Sequence, residues 1–240
     1  MGRGDNKMNI AIMGAMPEEI EPLLDYYGKY ETIEYAKNNF YLVDYRGHQL
    51  VIAYSKIGKV YATITALTMI KKFKSQKLLF SGVAGAISKD LNIGDLTVAT
   101  KLSQHDLDIT AFGHPYGFVP EGSVYEESDR ELIKFAKEIA EQKGIKLKES
   151  IIATGDQFIC DQDKKEWIGK TFKANAVEME GAAVALTCNA VGIPFFILRS
   201  ISDAADMDAS FDFDEFLKSS SKRSADFMIS MVDKIIDNIK

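Results

Sequence analysis

The strongest constraint on this chain is a rhythm of two kinds of segment. Short, continuous apolar runs alternate with longer amphipathic ones from end to end. "MNIAIMGAM" (8–16), "KLLFSGVAGA" (77–86), "DLTVAT" (95–100), "SIIATGDQFI" (150–159) and "IPFFILRSISD" (193–203) have the length of strands. Runs without polar alternation mark strands covered on both faces, the condition of a parallel sheet. The run at 77–86 reads as a strand that passes into a glycine loop, and the run at 150–159 as a strand that passes into a turn. Between these lie helical segments. "PEEIEPLLDYYG" has proline in its first turn and "GKVYATITALTMIKKF" (58–73) has a basic end that complements the helix dipole. "ESDRELIKFAKEIAEQKG" (127–144) carries a Ser or Asp cap and a closing glycine. "DKKEWIGKTF" (163–172) is a short helix, "NAVEMEGAAVALTCNAVG" (175–192) passes from extended to helical, and the tail from Asp212 to Lys240 is one long helix or two. The stretch 104–122 reads as loop. Such alternation predicts an α/β fold, and a hairpin over 39–55, turning at Arg46-Gly47, makes its sheet mixed. No linker or repeat interrupts the pattern. The reading is a single domain over 1–240, with 1–7 a disordered leader.

Composition removes several function classes. The net charge of -6 is spread along the chain, which argues against nucleic acid or a membrane surface as partner. No run approaches the ~18 apolar residues of a spanning helix, and the N-terminus has no secretory pattern. Cys160 and Cys188 show no CxxC spacing and read as reduced thiols, so the expected location is cytoplasmic. His48, His105 and His114 have no ligand spacing, so no metal is expected, and no other cofactor motif is complete. The glycines of "SGVAGA", Gly82 and Gly85, match a dinucleotide fingerprint only in part. They fit better a place where a ligand approaches the backbone closely.

Polar residues gather where apolar strands end. Glu18 and Glu19 follow the first strand, Glu178 and Glu180 sit in the apolar run "AVEMEGAAVAL", and Arg199, Ser202 and Asp203 close the last strand. Ligands of open α/β sheets bind outside the carboxyl ends of strands, so these groups can converge on one pocket. Each also has a plainer use. Glu18 and Glu19 suit a helix N-terminus. Glu178 and Glu180, alternating about Met179 on an extended segment, suit a solvated edge. Arg199 and Asp203 suit a structural ion pair. Met16 and Met179 suit core filling.

Together "GAMPEE", "SKIGKV", "SGVAGA", "TGDQFI", "VEMEGAA" and "RSISDAAD" resemble the 5′-methylthioadenosine/S-adenosylhomocysteine nucleosidases of the nucleoside phosphorylase/hydrolase superfamily. The likeness runs from Met8 to the final helix, with the motifs in the family's order. "SGVAG", "FGHP" and "TGDQF" look most like the forms that also act on 6-amino-6-deoxyfutalosine in menaquinone biosynthesis. The resemblance implies a three-layer α/β/α sandwich around a central mixed, twisted sheet, and a homodimer. It implies hydrolysis of the N-glycosidic bond of 5′-substituted adenosines (5′-methylthioadenosine, S-adenosylhomocysteine, 5′-deoxyadenosine and aminodeoxyfutalosine), with release of adenine. It places Glu19 as the base that activates water and Asp203 as the acid at the purine N7, supported by Ser202. Glu180 holds the ribose hydroxyls above Met179, with Glu178 beside it. Phe158 stacks on the adenine, and the backbone of Ile159 reads its edge. Arg199 lies beside the water, Met16, Ile57 and Phe213 line the pocket, and Phe112 and Pro120 of the neighbouring subunit close the 5′ side. Three positions depart from the pattern: Val83 stands where a serine is common, Gln157 where a small residue is common, and Pro17 replaces an acid of the first-turn cluster.

The chemistry suits these residue types. Adenine leaves poorly as an anion and well once protonated at N7, so the acid must hold a proton far above the ~3.9 of an ordinary aspartate. The sugar becomes cationic as the bond stretches, and carboxylates beside it stabilise that charge. Glutamates at the first glycine turn would repel phosphate, which favours water over a phosphorylase's nucleophile. A purine or uridine nucleoside phosphorylase is the alternative within enzymes. A non-catalytic nucleoside-binding protein is the alternative outside them, although it has no use for an acid and a base.

Overall fold

The computed structural model describes residues 7–203 and 213–239. In chain order β1 (Asn9–Gly14), α1 (Pro17–Tyr27), β2 (Glu31–Tyr35), β3 (Asn38–Tyr45), β4 (His48–Tyr54) and α2 (Lys59–Lys71) come first. There follow β5 (Lys77–Ala86), β6 (Leu96–Gln104), a 3-10 turn (Thr110–Phe112), β7 (Glu126–Glu127), α3 (Arg130–Lys143) and β8 (Leu147–Thr154). The chain closes with α4 (Gln162–Phe172), β9 (Ala176–Glu178), α5 (Gly181–Val191), β10 (Phe195–Asp203) and α6 (Phe213–Asp237).

The strands form one mixed sheet in the order β10-β6-β8-β9-β5-β1-β4-β3-β2, with β7 against β6. β10 also pairs with β5, so β5, β10, β6, β8 and β9 close into a ring, and β1 to β4 extend from it as an open wing. β1 runs parallel to β4 and β5, and β5 parallel to β10. The β2–β3–β4 meander, β6–β10 and β5–β9 are antiparallel.

The continuous apolar runs are explained by two cores. Ile10 and Ile12 of β1 pack with Ile20 and Leu23 of α1, Phe135 of α3 and Phe227 of α6. Ala11 and Met13, pointing the other way, pack with Ala62 and Met69 of α2 and Val184 and Cys188 of α5. Helices on both faces give the expected α/β/α sandwich. α4 covers a third, smaller cluster in which Ile168 and Phe172 meet Ala153 and Val177. Local signals set the helix ends. The Asp129 carboxylate caps α3 by accepting the Leu132 N–H at 2.9 Å, and Gly144 closes it in the left-handed region at φ 63°. Among the described residues no helix is long and apolar enough to cross a membrane.

Several expectations need correction. "SGVAGA" is strand throughout, because β10 and β9 pair it as far as Ala86. The strand begun by "DLTVAT" continues to Gln104 through a bulge between Ala99 and Lys101, beside β8. β2 is an edge strand with largely exposed side chains, so it lacks the apolar signature of the others. The tail is one helix over Phe213–Asp237. The expected leader, Lys7 apart, lies outside the described residues.

Candidate active site

The carboxyl ends of β1, β5 and β10 meet the β9–α5 junction around a cavity of about 230 Å³. Of the residues expected at a site, Met16, Glu19, Ile57, Val83, Phe158, Glu178, Met179, Glu180, Arg199 and Ser202 all line it. They reach it from six separate regions of the chain, and the sheet order brings them together.

Glu19 sits in the first turn of α1, yet it is only 3% exposed. Its carboxylate folds back over the glycine turn. Oε2 accepts the N–H groups of Ala15 at 2.5 Å and Met16 at 3.1 Å, and Oε1 accepts that of Val83 at 3.3 Å. Burial raises its pKa, while the Arg199 charge and these three donors pull it back. Val83 thus supplies a backbone donor where a serine would have offered a hydroxyl. The neighbouring glycines make room: a Cβ on Gly82 would lie 2.9 Å from Arg199 Nη1 and 3.2 Å from Glu19 Oε1.

The two glutamates of the apolar run do different work. Glu178 is consumed by the protein. It pairs with Arg199 at 2.5 Å, accepts the N–H groups of Gly181 at 2.7 Å and Glu180 at 3.2 Å, and accepts the Thr154 hydroxyl. Arg199 is 1% exposed and lies 4.1 Å over the Phe80 ring. The guanidinium is therefore engaged by Glu178. Glu180 stands at the N-cap position of α5 without capping it through its side chain, and its Oε1 instead accepts the Gly58 N–H at 2.9 Å. The expected alternation fails because β9 stops at Glu178. Met179 then turns toward the same cavity as both glutamates.

Ser202 is buried, and its hydroxyl reaches the Ala84 carbonyl at 3.4 Å. The backbone of Asp203 pairs with Gly85, which lines the cavity. The carboxyl of Asp203 and the ring of Phe213 lie outside the described residues. Ile57 and Phe158 form the mouth and are 56% and 78% exposed. Ile159 lines a small adjoining cavity of about 30 Å³. Phe112 and Pro120, on the loop between β6 and β7, are exposed and do not line their own chain's cavity. Sequence reasoning missed Thr154, Phe80 and the Gly58 N–H. All three act through contacts made only by the fold.

Glu180 is pushed above the ordinary glutamate value of 4.5 by burial first and then by the Glu178 charge. An acid with a raised folded pKa favours the native state below its unfolded value, and this advantage is lost as pH climbs through the folded one. Thermal melts of the ligand-free protein should therefore show falling stability between about pH 5 and about pH 8, with Glu180→Gln flattening the slope. An unchanged slope in that variant would refute the assignment.

A mixed sheet between helix layers, with carboxylates from separate strand ends around an apolar cavity, defines an α/β enzyme fold with a site for a small ligand. The chain belongs to the phosphorylase superfamily, whose sequence pattern matches residues 9–236. The aminodeoxyfutalosine nucleosidase of Campylobacter jejuni is 55% identical over 228 residues, spanning 95% of this chain and 100% of its own. A 5′-methylthioadenosine/S-adenosylhomocysteine nucleosidase of Exiguobacterium is 37% identical over 230 residues, with 95% and 99% covered. The crystal structure of the C. jejuni 5′-methylthioadenosine/S-adenosylhomocysteine nucleosidase superposes with a TM-score of 0.93 at 56% identity, covering 95% of this chain and 99% of that one. The native futalosine hydrolase of Helicobacter pylori superposes at 0.91 and 50% identity, covering 95% and 98%.

Proposed function

We propose that the whole chain acts as one domain that hydrolyses the N-glycosidic bond of 5′-substituted adenosines and releases adenine. The substrates are 5′-methylthioadenosine, S-adenosylhomocysteine, 5′-deoxyadenosine and 6-amino-6-deoxyfutalosine. The observation that carries the reading is Glu19, buried on the wall of the cavity that Glu180 also lines and one strand from the backbone of Asp203. Asp203 protonates N7 of the adenine as the C–N bond stretches. Positive charge grows on the sugar, and Glu180, at the ribose hydroxyls, stabilises it. A water attacks the anomeric carbon and gives its proton to Glu19. Adenine leaves neutral, and the sugar keeps the water oxygen. Phe158 stacks on the base, while Met179 and Met16 line the sugar side.

Water is favoured over phosphate by how the donors are spent. The backbone N–H groups of the glycine turn already serve the Glu19 carboxylate, and the Arg199 guanidinium serves Glu178. An incoming anion meets the Glu19 carboxylate there, with these donors already engaged. Adenine release from 5′-methylthioadenosine should proceed in phosphate-free buffer and gain nothing from added phosphate. A phosphate-dependent rate yielding a sugar 1-phosphate would overturn the reading.

The active form is a homodimer. Val60, Ile64 and Leu67 of α2 are exposed at 68%, 41% and 40%, and with Leu186 and Val191 of α5 they line an open apolar groove. Exposed apolar patches of this kind mark interfaces. Lys59 and Asp156 also line the groove and flank the cavity mouth, so a second copy seated there brings its own exposed Phe112 and Pro120 toward the 5′ end of the nucleoside. Light scattering should give twice the chain mass, and Val60→Asp should give monomers. A wild-type monomer at micromolar concentration would refute the dimer. Cys160 and Cys188 are free thiols, which fits a cytoplasmic location.

A further inference from the structure

The turn that opens α2 is strained. Lys56 holds φ 72° and Gly58 φ 100°, in a region side chains rarely adopt, so neighbours must hold this turn in place. Glu180 takes the Gly58 N–H, as described above. Asp156 Oδ1 takes the next one, accepting the Lys59 N–H at 2.7 Å. The Asp156 N–H in turn donates to Asp106 Oδ2 at 2.8 Å, and Lys59 Nζ donates to Asp106 Oδ1 at 2.7 Å and to Gln104 Oε1 at 3.2 Å. Lys59, Asp156 and Asp106 thus close a ring of hydrogen bonds across three segments: the start of α2, the loop after β6 and the loop after β8.

That ring joins the two sides of the cavity mouth. Ile57 lies just before Lys59, and Phe158 lies just after Asp156. Both are more than half exposed, so core packing fixes neither of them. The loop after β8 cannot sink to compensate, because it rests on a buried imidazole: a Cβ on Gly155 would lie 2.4 Å from His105 Cε1. The separation of Ile57 and Phe158 is therefore set by the ring.

We propose that Asp156 is a positioning residue for nucleoside binding. It touches no reacting atom. It acts through Lys59 on Ile57, and through its own backbone on Phe158, fixing the slot that the base enters. This rests on the assignment of Phe158 as the base-stacking wall.

The test is the kinetics of adenine release from 5′-methylthioadenosine, together with the Ki of free adenine, for wild type, Asp156→Ala, Asp156→Asn and Asp106→Asn. Small misplacements of a binding wall are costly, so Asp156→Ala should raise KM and the adenine Ki by about tenfold or more while kcat changes by less than about threefold. Asp156→Asn keeps an acceptor for the Lys59 N–H and should recover most of the loss. If Asp156→Ala does not fold, Asp106→Asn, which removes the charge facing Lys59 Nζ and keeps the side-chain shape, should raise both constants severalfold. KM and Ki within about twofold of wild type, or a lowered melting temperature with unchanged kinetics, would overturn the proposal. A wild type that releases no adenine would sink the nucleosidase reading itself, a separate and distinguishable outcome.

Discussion

Asp203→Asn is expected to lower kcat for adenine release by about 10²–10⁴-fold, the usual worth of one general acid. That corresponds to roughly 3–5 kcal/mol of barrier. Asparagine has nearly the same shape, and the backbone of residue 203 remains paired with Gly85 at the end of β10. The loss should therefore fall on the chemical step, with KM close to that of wild type. A merely binding role predicts the reverse split, with KM raised and kcat kept. Normal turnover in the purified variant would remove Asp203 from the mechanism.

Glu19→Gln should cost a similar factor, about 10²–10⁴-fold in kcat. Here the structure adds a second reason. Three backbone N–H groups, from Ala15, Met16 and Val83, converge on the carboxylate. A glutamine amide can offer its oxygen to one side only, and its NH₂ then faces a donor on the other. The base function is lost and the glycine turn is left with a mismatched contact. The pH profile carries the sign. Glu19 must be ionised to take the water's proton, and burial holds its pKa above the ordinary glutamate value of 4.5. The acid limb of kcat/KM should therefore fall away at a higher pH than a solvent-exposed glutamate would give. An acid limb at the ordinary value would mean that Glu19 is not the base.

Much of this site was legible before the fold was known, for a physical reason. Charged residues are seldom buried without a use, so Glu178, Glu180 and Arg199 inside apolar runs drew attention at once. The strand rhythm then placed them at carboxyl ends, and the pocket formed there. What the sequence did not show was how each charge is spent. Glu178 and Glu180 look equivalent on an extended segment. Both line the cavity, and only the short length of β9 and the reach of Arg199 reveal that Glu178 is spent on Arg199 while Glu180 takes the Gly58 N–H. The closure of β5, β10, β6, β8 and β9 into a ring was hidden for the same reason, since the β10–β5 pairing joins segments more than a hundred residues apart. β2 was missed because an exposed edge strand carries no burial signature. The glycines of "SGVAGA" signal a place of close approach. Their partners, Arg199 and Glu19 packed against Gly82, required the fold.

The central claim is that a carboxylate from the start of α1 and an aspartate from the end of β10 act on one sugar. The most direct measurement is a crystal structure of the Asp203→Asn protein with 5′-methylthioadenosine bound. The account predicts the nucleoside in the cavity lined by Glu19 and Glu180, its adenine N7 within hydrogen-bonding distance of residue 203 and its anomeric carbon on the Glu19 side. A nucleoside bound in another cleft, or one whose base lies against Glu19 with its sugar away from it, would contradict the account.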